Sequence, residues 1–123
     1  PIGIDIQKIK NEIPKHTDKI LSEKEKQYLA SLEEKDRMIA FYTIWADKES
    51  VIKWDGRGLR LPLQTISVAN ERKLISEINF EGNTLVIKRL DLLQPHYAIS
   101  ICSQKETAIE HQQEINENFL IKY

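Results

Sequence analysis

The chain has 123 residues, of which 41% are hydrophobic and 30% are charged, and this composition predicts one globular domain with a core of its own. Eighteen basic and 19 acidic residues give a formal net charge of −1. This balance argues against general binding to nucleic acids or membrane surfaces, because both need a basic field. Cys102 is the single cysteine, so an internal disulfide is excluded and a cytoplasmic location is expected. No apolar stretch has the length of a transmembrane helix.

A strand and a short helix are predicted first along the chain. Ile2, Ile4 and Ile6 alternate with glycine or polar residues, which is the two-residue period of a strand. Ser22 and Glu25 have the spacing of a capping box. A helix of about three turns is therefore expected to begin at Ser22.

A longer helix is predicted from about Glu34 to about Lys53, because large apolar side chains recur there at helical spacing. These side chains are Met38, Phe41, Tyr42, Trp45 and Ile52. Gly56 and Gly58 should end the helix, and Pro62 should prevent it from restarting.

The pattern then changes to strands over residues 65–68, 74–80, 85–90 and 97–102. Glu81-Gly82-Asn83 is typical of a hairpin turn, and Cys102 is expected to be a buried thiol. The predicted fold class is α+β, an antiparallel sheet of about four to five strands packed on the long helix and the shorter one. One domain should cover residues 1–123, with 104–123 as a polar tail for which helix and irregular structure fit equally well.

A carboxylate interrupts the apolar stripe of the predicted long helix. On a wheel with Trp45 as reference and about 100° per residue, Phe41 lies at about −40°, and Glu49 at about +40°. A carboxylate on that face needs a cation or a donor, because burying it unpaired is costly. An ion pair at the rim of a narrower core face explains the wheel equally well. Asp47, at about −160°, is expected to be solvated.

A second carboxylate, Asp5, lies between two isoleucines in the first strand. Gly3 on the same face leaves room for another element to come close. For Asp5 alone, an exposed strand face is the simpler explanation. Asp5 and Glu49 together indicate a hard-cation site, and oxygen ligands favour Mg²⁺, which also binds substrate phosphates. Lys48 and Lys53 flank the stripe and are suited to hold phosphate oxygens.

Two motifs in this order resemble the signature of the 4′-phosphopantetheinyl transferase superfamily. They are Gly3-Ile4-Asp5 in the first strand and Trp45-Ala46-Asp47-Lys48-Glu49-Ser50-Val51-Ile52-Lys53 in the long helix. The segments 21–25, 56–63 and 97–102 resemble further parts of the same lobe. The chain is most similar to the C-terminal lobe of the large, two-lobed class. It is therefore expected to be a fragment, about half of such an enzyme.

The resemblance implies an enzyme, a holo-acyl-carrier-protein synthase or phosphopantetheinyl transferase. Such an enzyme transfers the phosphopantetheine arm of coenzyme A to a serine of an acyl or peptidyl carrier protein, and 3′,5′-ADP is the second product. Asp5 and Glu49 would hold Mg²⁺, with Gln7 as a weaker third contact where many two-lobed members have an acidic residue. Lys48 and Lys53 would contact coenzyme A phosphates and offset the charge that develops in transfer. Glu49 or a metal-bound water would take the serine proton.

The implied partners are the carrier protein, coenzyme A and an N-terminal lobe. The face towards that lobe should be apolar, so this chain should pair with it or self-associate, and it is not expected to complete an active site alone. The alternative function is a non-catalytic lobe that binds a carrier protein or a partner subunit. A two-carboxylate Mg²⁺ nuclease is a third hypothesis, and the near-neutral charge disfavours it.

Overall fold

Four strands form one antiparallel sheet in the computed structural model, which describes residues 1–57, 61–90 and 96–105. The long helix packs on one face of the sheet and the short helix packs on the long one. The strands are β1 (Ile2–Lys8), β2 (Glu77–Phe80), β3 (Asn83–Leu90) and β4 (Tyr97–Gln104), in the order β1-β4-β3-β2. The helices are α1 (Glu23–Ala30) and α2 (Glu34–Asp55). The predicted α+β fold is confirmed.

Both helices begin or end at predicted residues. The Ser22 side chain accepts from the backbone N–H of Glu25 at 3.3 Å, and the Glu25 carboxylate accepts from Ser22 N–H at 2.8 Å, so the predicted capping box is present. α1 is eight residues long, shorter than predicted. Gly56 ends α2 with φ 71°, while Gly58 lies outside the described residues. No helix in the described part of the chain has the length and apolar character needed to cross a membrane.

The strand predicted over 65–68 is wrong. A 3-10 turn at Leu63–Thr65 occupies its start. The N–H of Val68 donates to the Glu25 carboxylate at 2.7 Å, and its carbonyl accepts from Ile75 N–H at 2.8 Å. The backbone here is therefore bonded to α1 and to a neighbouring loop rather than to the sheet. β-Branched residues in this segment reflect burial, not strand pairing. β2 accordingly begins at Glu77, later than predicted.

The turn predicted at 81–83 is confirmed as a two-residue hairpin between β2 and β3. Phe80 pairs with Asn83, and the two residues between them both have positive φ, 48° at Glu81 and 81° at Gly82. Positive φ at both central positions gives the twist that joins antiparallel strands. Arg57, just after α2, forms ion pairs with Asp55 and with Glu81, which joins the end of the helix to this hairpin.

Both faces of the sheet are apolar where β1 pairs with β4. The inner face contributes Cys102 to the core, and burial raises the pKa of its thiol to about 12, so the predicted buried thiol is confirmed. On the outer face Ile4 pairs with Ile101 and Ile6 with Ile99. The β4 residues are buried, whereas Ile4 is 44% and Ile6 is 51% exposed. An apolar strip therefore lies on the side of the sheet away from α2.

Gly3 sets the distance between β1 and α2. A Cβ atom at this position would lie 1.9 Å from the carbonyl oxygen of Ser50 and 2.3 Å from the backbone nitrogen of Trp54. The two backbones are thus in direct contact, as the glycine predicted. The contact turns the inner face of β1, including Asp5, towards the last turns of α2.

Replacing Gly3 with alanine should lower the free energy of unfolding by about 3 kcal/mol or more, because the backbones must separate. Gly82→Ala is the control: it has no atom within 4 Å of its Cβ position, so it should lose only about 1 kcal/mol, from backbone strain. Urea unfolding followed by circular dichroism measures both variants. Equal losses would contradict the close approach at Gly3.

Candidate metal site

Asp5 is buried at the inner face of β1, so the prediction that its strand face might be solvated is wrong. Its side chain is 8% exposed. One carboxylate oxygen lies 2.7 Å from Lys53 Nζ, and the other accepts from the Gln7 amide, also at 2.7 Å. The residue that follows Gly3 on this face is therefore an anion held between a strand and a helix.

Glu49 lies one helical turn before Lys53, on the same side of α2. It is half-buried, and within the described part of the chain its carboxylate has neither a hydrogen bond nor an ion pair. The ion pair considered for Glu49 as an alternative is therefore absent among these residues. Asp5 contacts Lys53 and Gln7 directly, so this edge combines two carboxylates, an amide and an ammonium group.

The donors at this edge fit a small divalent cation. The Asp5 and Glu49 carboxylates and the Gln7 amide can present only oxygen ligands, which is the set that Mg²⁺ prefers. Across the described ranges, no group of three His, Cys, Asp or Glu side chains is arranged to hold a metal ion. A cation at this edge would accordingly have two carboxylate ligands, with further positions left for the amide, for waters and for a phosphate.

Lys48 is not part of this edge. Its side chain is fully buried, and its ammonium group forms an ion pair with the Glu25 carboxylate. It also donates to the carbonyl of Ile20 at 2.5 Å and to that of Leu63 at 2.9 Å. Three oxygens satisfy all three of its donors. Burial lowers the pKa of Lys48, and Glu25 opposes that shift.

Asp47 contradicts the wheel most clearly. It was expected in solvent, but it is fully buried. The Arg89 guanidinium donates to its carboxylate through Nε at 3.0 Å and Nη2 at 2.6 Å, and Ser100 Oγ donates at 2.5 Å. Burial raises the pKa of Asp47, while Arg89 acts to lower it. This pair ties α2 to β3 and β4.

The wheel failed because α2 is covered on more than one side. Ile44 and Val51, about 100° away from Trp45, are fully buried, whereas Trp45 itself is half-buried. The core direction is therefore rotated away from the assumed reference. Glu49 lies at the edge of the buried region rather than in its centre. The anomaly at Glu49 was correctly noticed but its depth was overestimated.

Two residues that shape the site were not predicted as such. The capping box identified Glu25 as a helix cap, and nothing in the spacing showed that its second oxygen and Lys48 meet in the core. Arg89 lies in a strand, and no pattern in one sequence links it to Asp47, 42 residues away.

A cavity of about 800 Å³ lies elsewhere, between the end of β1 and the start of α2. Its lining includes Ile9, Met38, Ile39 and His96. None of Asp5, Gln7, Glu49 and Lys53 lines it. This cavity is therefore distinct from the candidate metal site.

Comparisons with known proteins agree with the motifs. The model of the 4′-phosphopantetheinyl transferase superfamily matches residues 1–102. The 4′-phosphopantetheinyl transferase ffp of Bacillus subtilis is 31% identical over 107 residues, which are 85% of this chain and 47% of that protein. The 4′-phosphopantetheinyl transferase Sfp of Bacillus subtilis (strain 168) is 31% identical over 84% of this chain and 46% of its own length. The chain thus spans about half the length of these relatives.

A solved structure shares the fold. The holo-(acyl-carrier-protein) synthase of Bacillus anthracis str. Ames, crystallised in complex with CoA (3′,5′-ADP), superposes with a TM-score of 0.56 at 17% identity. The match covers 84% of this chain and 93% of that one. At this identity the likeness establishes the arrangement of helices and strands alone.

Lys48→Met should lower the free energy of unfolding by about 3–5 kcal/mol, because it leaves the Glu25 carboxylate buried without its cation. The double variant Glu25→Gln/Lys48→Met should lose less than the sum of the single variants. Lys26→Met, which removes an exposed lysine paired with Asp18 and Glu23, should change stability little. Denaturant unfolding measures all four, and strictly additive losses would refute the coupling of Glu25 to Lys48.

Proposed function

The chain belongs to the 4′-phosphopantetheinyl transferase superfamily, and from this premise we propose that it supplies the metal-binding half of such an enzyme. The proposed reaction transfers the phosphopantetheine arm of coenzyme A to a serine of an acyl or peptidyl carrier protein. The observation that carries the proposal is the half-buried, unpaired Glu49 carboxylate on the turn of α2 that packs against β1 beside Asp5.

Asp5 and Glu49 are the proposed ligands of Mg²⁺, with the Gln7 amide oxygen as a third. The two carboxylates come from separate elements, and the Gly3 contact holds those elements together. Gln7 already lies against Asp5 through its amide nitrogen, so a rotation of the amide would present its oxygen instead. When bound, Mg²⁺ supplies charge stabilisation on the pyrophosphate of coenzyme A.

Lys53 is the proposed phosphate contact. Its side chain is 52% exposed, so its ammonium group can reach a ligand from the edge of the site. The contact of Lys48 with a phosphate, predicted from the resemblance, would require its pair with Glu25 to break. We therefore assign phosphate binding to Lys53. To Lys48 we assign the support of the turn that carries Glu49.

In the proposed transfer, the serine oxygen of the carrier forms a bond to the phosphorus that bears the pantetheine arm. The bond from that phosphorus to 3′,5′-ADP breaks, and the hydroxyl proton must be accepted. Glu49 is the proposed acceptor, because its carboxylate has no competing partner among the described residues. Transfer of this kind depends mainly on positioning and on charge stabilisation.

A second lobe is the proposed partner of the outer sheet face. The strip formed by Ile4, Ile6, Ile99 and Ile101 exposes part of its apolar surface. The matched relatives are about twice as long as this chain, so the other half of such a protein is the occupant we propose. Burying exposed isoleucines would supply the apolar area that a stable lobe contact needs.

Glu49→Ala should abolish carrier modification by a two-lobed protein that includes these residues, and should weaken Mg²⁺ binding by at least about 100-fold, because a first ligand is lost. Calorimetry of Mg²⁺-dependent coenzyme A binding and a radiolabel transfer assay measure the two effects. The free energy of unfolding should stay within about 0.5 kcal/mol of the unaltered protein, since no described contact of the carboxylate is removed.

Glu34→Ala is the matched control, because it removes an exposed carboxylate from the first turn of the same helix. Its metal binding and transfer should be unchanged. Retained carrier modification by the Glu49 variant would disprove the assigned role. If the unaltered two-lobed protein binds no coenzyme A in the presence of Mg²⁺, the non-catalytic lobe becomes the better description.

Replacing Ile4 and Ile6 with serine should make the separate chain monomeric at concentrations where the unaltered chain self-associates, because the apolar strip is removed. Ile39→Ser is the control: Ile39 is 40% exposed but lies on α2, so its replacement should leave association unchanged. Sedimentation velocity measures the mass of each variant. An unaltered chain that stays monomeric at every concentration, and does not bind a second lobe, would argue against this face as an interface.

A further inference from the structure

Lys53 occupies the carboxylate that the proposed metal site needs. Its Nζ atom lies 2.7 Å from one oxygen of Asp5, while the Gln7 amide donates to the other oxygen. Both oxygens of Asp5 therefore already accept from the chain itself. The Asp5 side chain is 8% exposed and that of Lys53 is 52% exposed. Of the two, the lysine has room to move away.

A divalent cation and this ammonium group cannot share Asp5 without repulsion. With Asp5 and Glu49 ionised and Lys53 charged, the formal charge of the three groups is −1. Removing the lysine charge would make it −2. A cation approaching Asp5 also needs a lone pair that Lys53 now uses. The two positive charges would lie a few ångströms apart at a partly desolvated edge, where their repulsion is stronger than in water.

We propose that Lys53 acts as an internal cation that neutralises Asp5 before the metal binds, and that metal binding displaces it. The displaced ammonium group is then available to phosphate oxygens of the nucleotide substrate. This inference rests on the proposed function, because it takes Asp5 and Glu49 as the metal ligands. One side chain thus has two successive partners, a carboxylate and then a phosphate.

The exchange couples the two ligands. A metal that releases Lys53 from Asp5 raises the affinity for a phosphate ligand. By linkage, a phosphate ligand that holds Lys53 raises the affinity for the metal by the same factor. Glu49 takes no part in the exchange, since its carboxylate is unpaired among the described residues. It is the group that can meet the metal first.

The test is the affinity of the chain for Mn²⁺, used as a probe for Mg²⁺ and followed by the electron paramagnetic resonance of the free ion. Lys53→Met should bind Mn²⁺ about 10-fold more tightly than the unaltered chain, because a competing cation is gone. Lys53→Gln should behave alike. Lys105→Met removes a lysine of similar exposure, 59%, that is paired with Glu77 at 2.9 Å, and it should leave Mn²⁺ affinity unchanged.

A second measurement follows Lys53 directly. In the unaltered chain, Mg²⁺ should shift the carbon resonance of the Lys53 side chain next to its nitrogen, and Lys105 should not respond. Glu49→Gln should move this response to higher Mg²⁺ concentrations. Circular dichroism confirms that each variant is folded.

The outcomes separate the inference from the function it rests on. Equal or weaker Mn²⁺ binding by the Lys53 variants, with binding retained by the unaltered chain and lost in Asp5→Asn, overturns the exchange and leaves the metal site standing. Absence of Mn²⁺ binding in both the unaltered chain and Lys53→Met overturns the metal site, and the exchange with it.

Discussion

The ion pair between Glu25 and Lys48 is the interaction on which the described structure depends most. Both side chains are fully buried, and each also bonds to backbone groups of other segments. Lys48 holds the carbonyls of Ile20 and Leu63, and Glu25 holds the N–H groups of Ser22 and Val68. Two charges in a core are tolerated only when every donor and acceptor has a partner. One pair therefore fixes the loop before α1, α1 itself and the irregular segment 61–68 against α2.

Three consecutive residues of α2 face three different surroundings because of this packing. Asp47 meets Arg89 and Ser100 of the sheet, Lys48 meets α1 and its loops, and Glu49 lies at the edge near β1. Successive helical residues are about 100° apart, so two buried pairs on either side fix the rotation of the helix. The orientation of Glu49 towards the edge is thus set by its neighbours. The Gly3 contact sets the distance from α2 to Asp5.

Much of the fold could be predicted because its signals are local. The capping box at Ser22, the end of α2 at Gly56 and the hairpin at Glu81-Gly82 depend on a few adjacent residues, and all three are confirmed. The strand predicted at 65–68 is wrong because its β-branched residues are buried by a loop whose backbone bonds elsewhere. Propensity reports a buried, extended chain, but it does not say which partner takes the hydrogen bonds. Pairing with a distant segment decides that.

The sequence by itself determined which residues could carry chemistry: two carboxylates out of place in apolar patterns, a glycine that allows close approach, and motifs that resemble one superfamily. Only the tertiary structure decided how those residues are used. It placed Lys53 on Asp5, left Glu49 unpaired among the described residues, and buried Lys48 and Asp47 in opposite directions. The physical reason is that a side chain's role follows from the charge and burial of its neighbours. Those neighbours come from segments up to 53 residues apart, as Asp47 and Ser100 are, so no local pattern contains them.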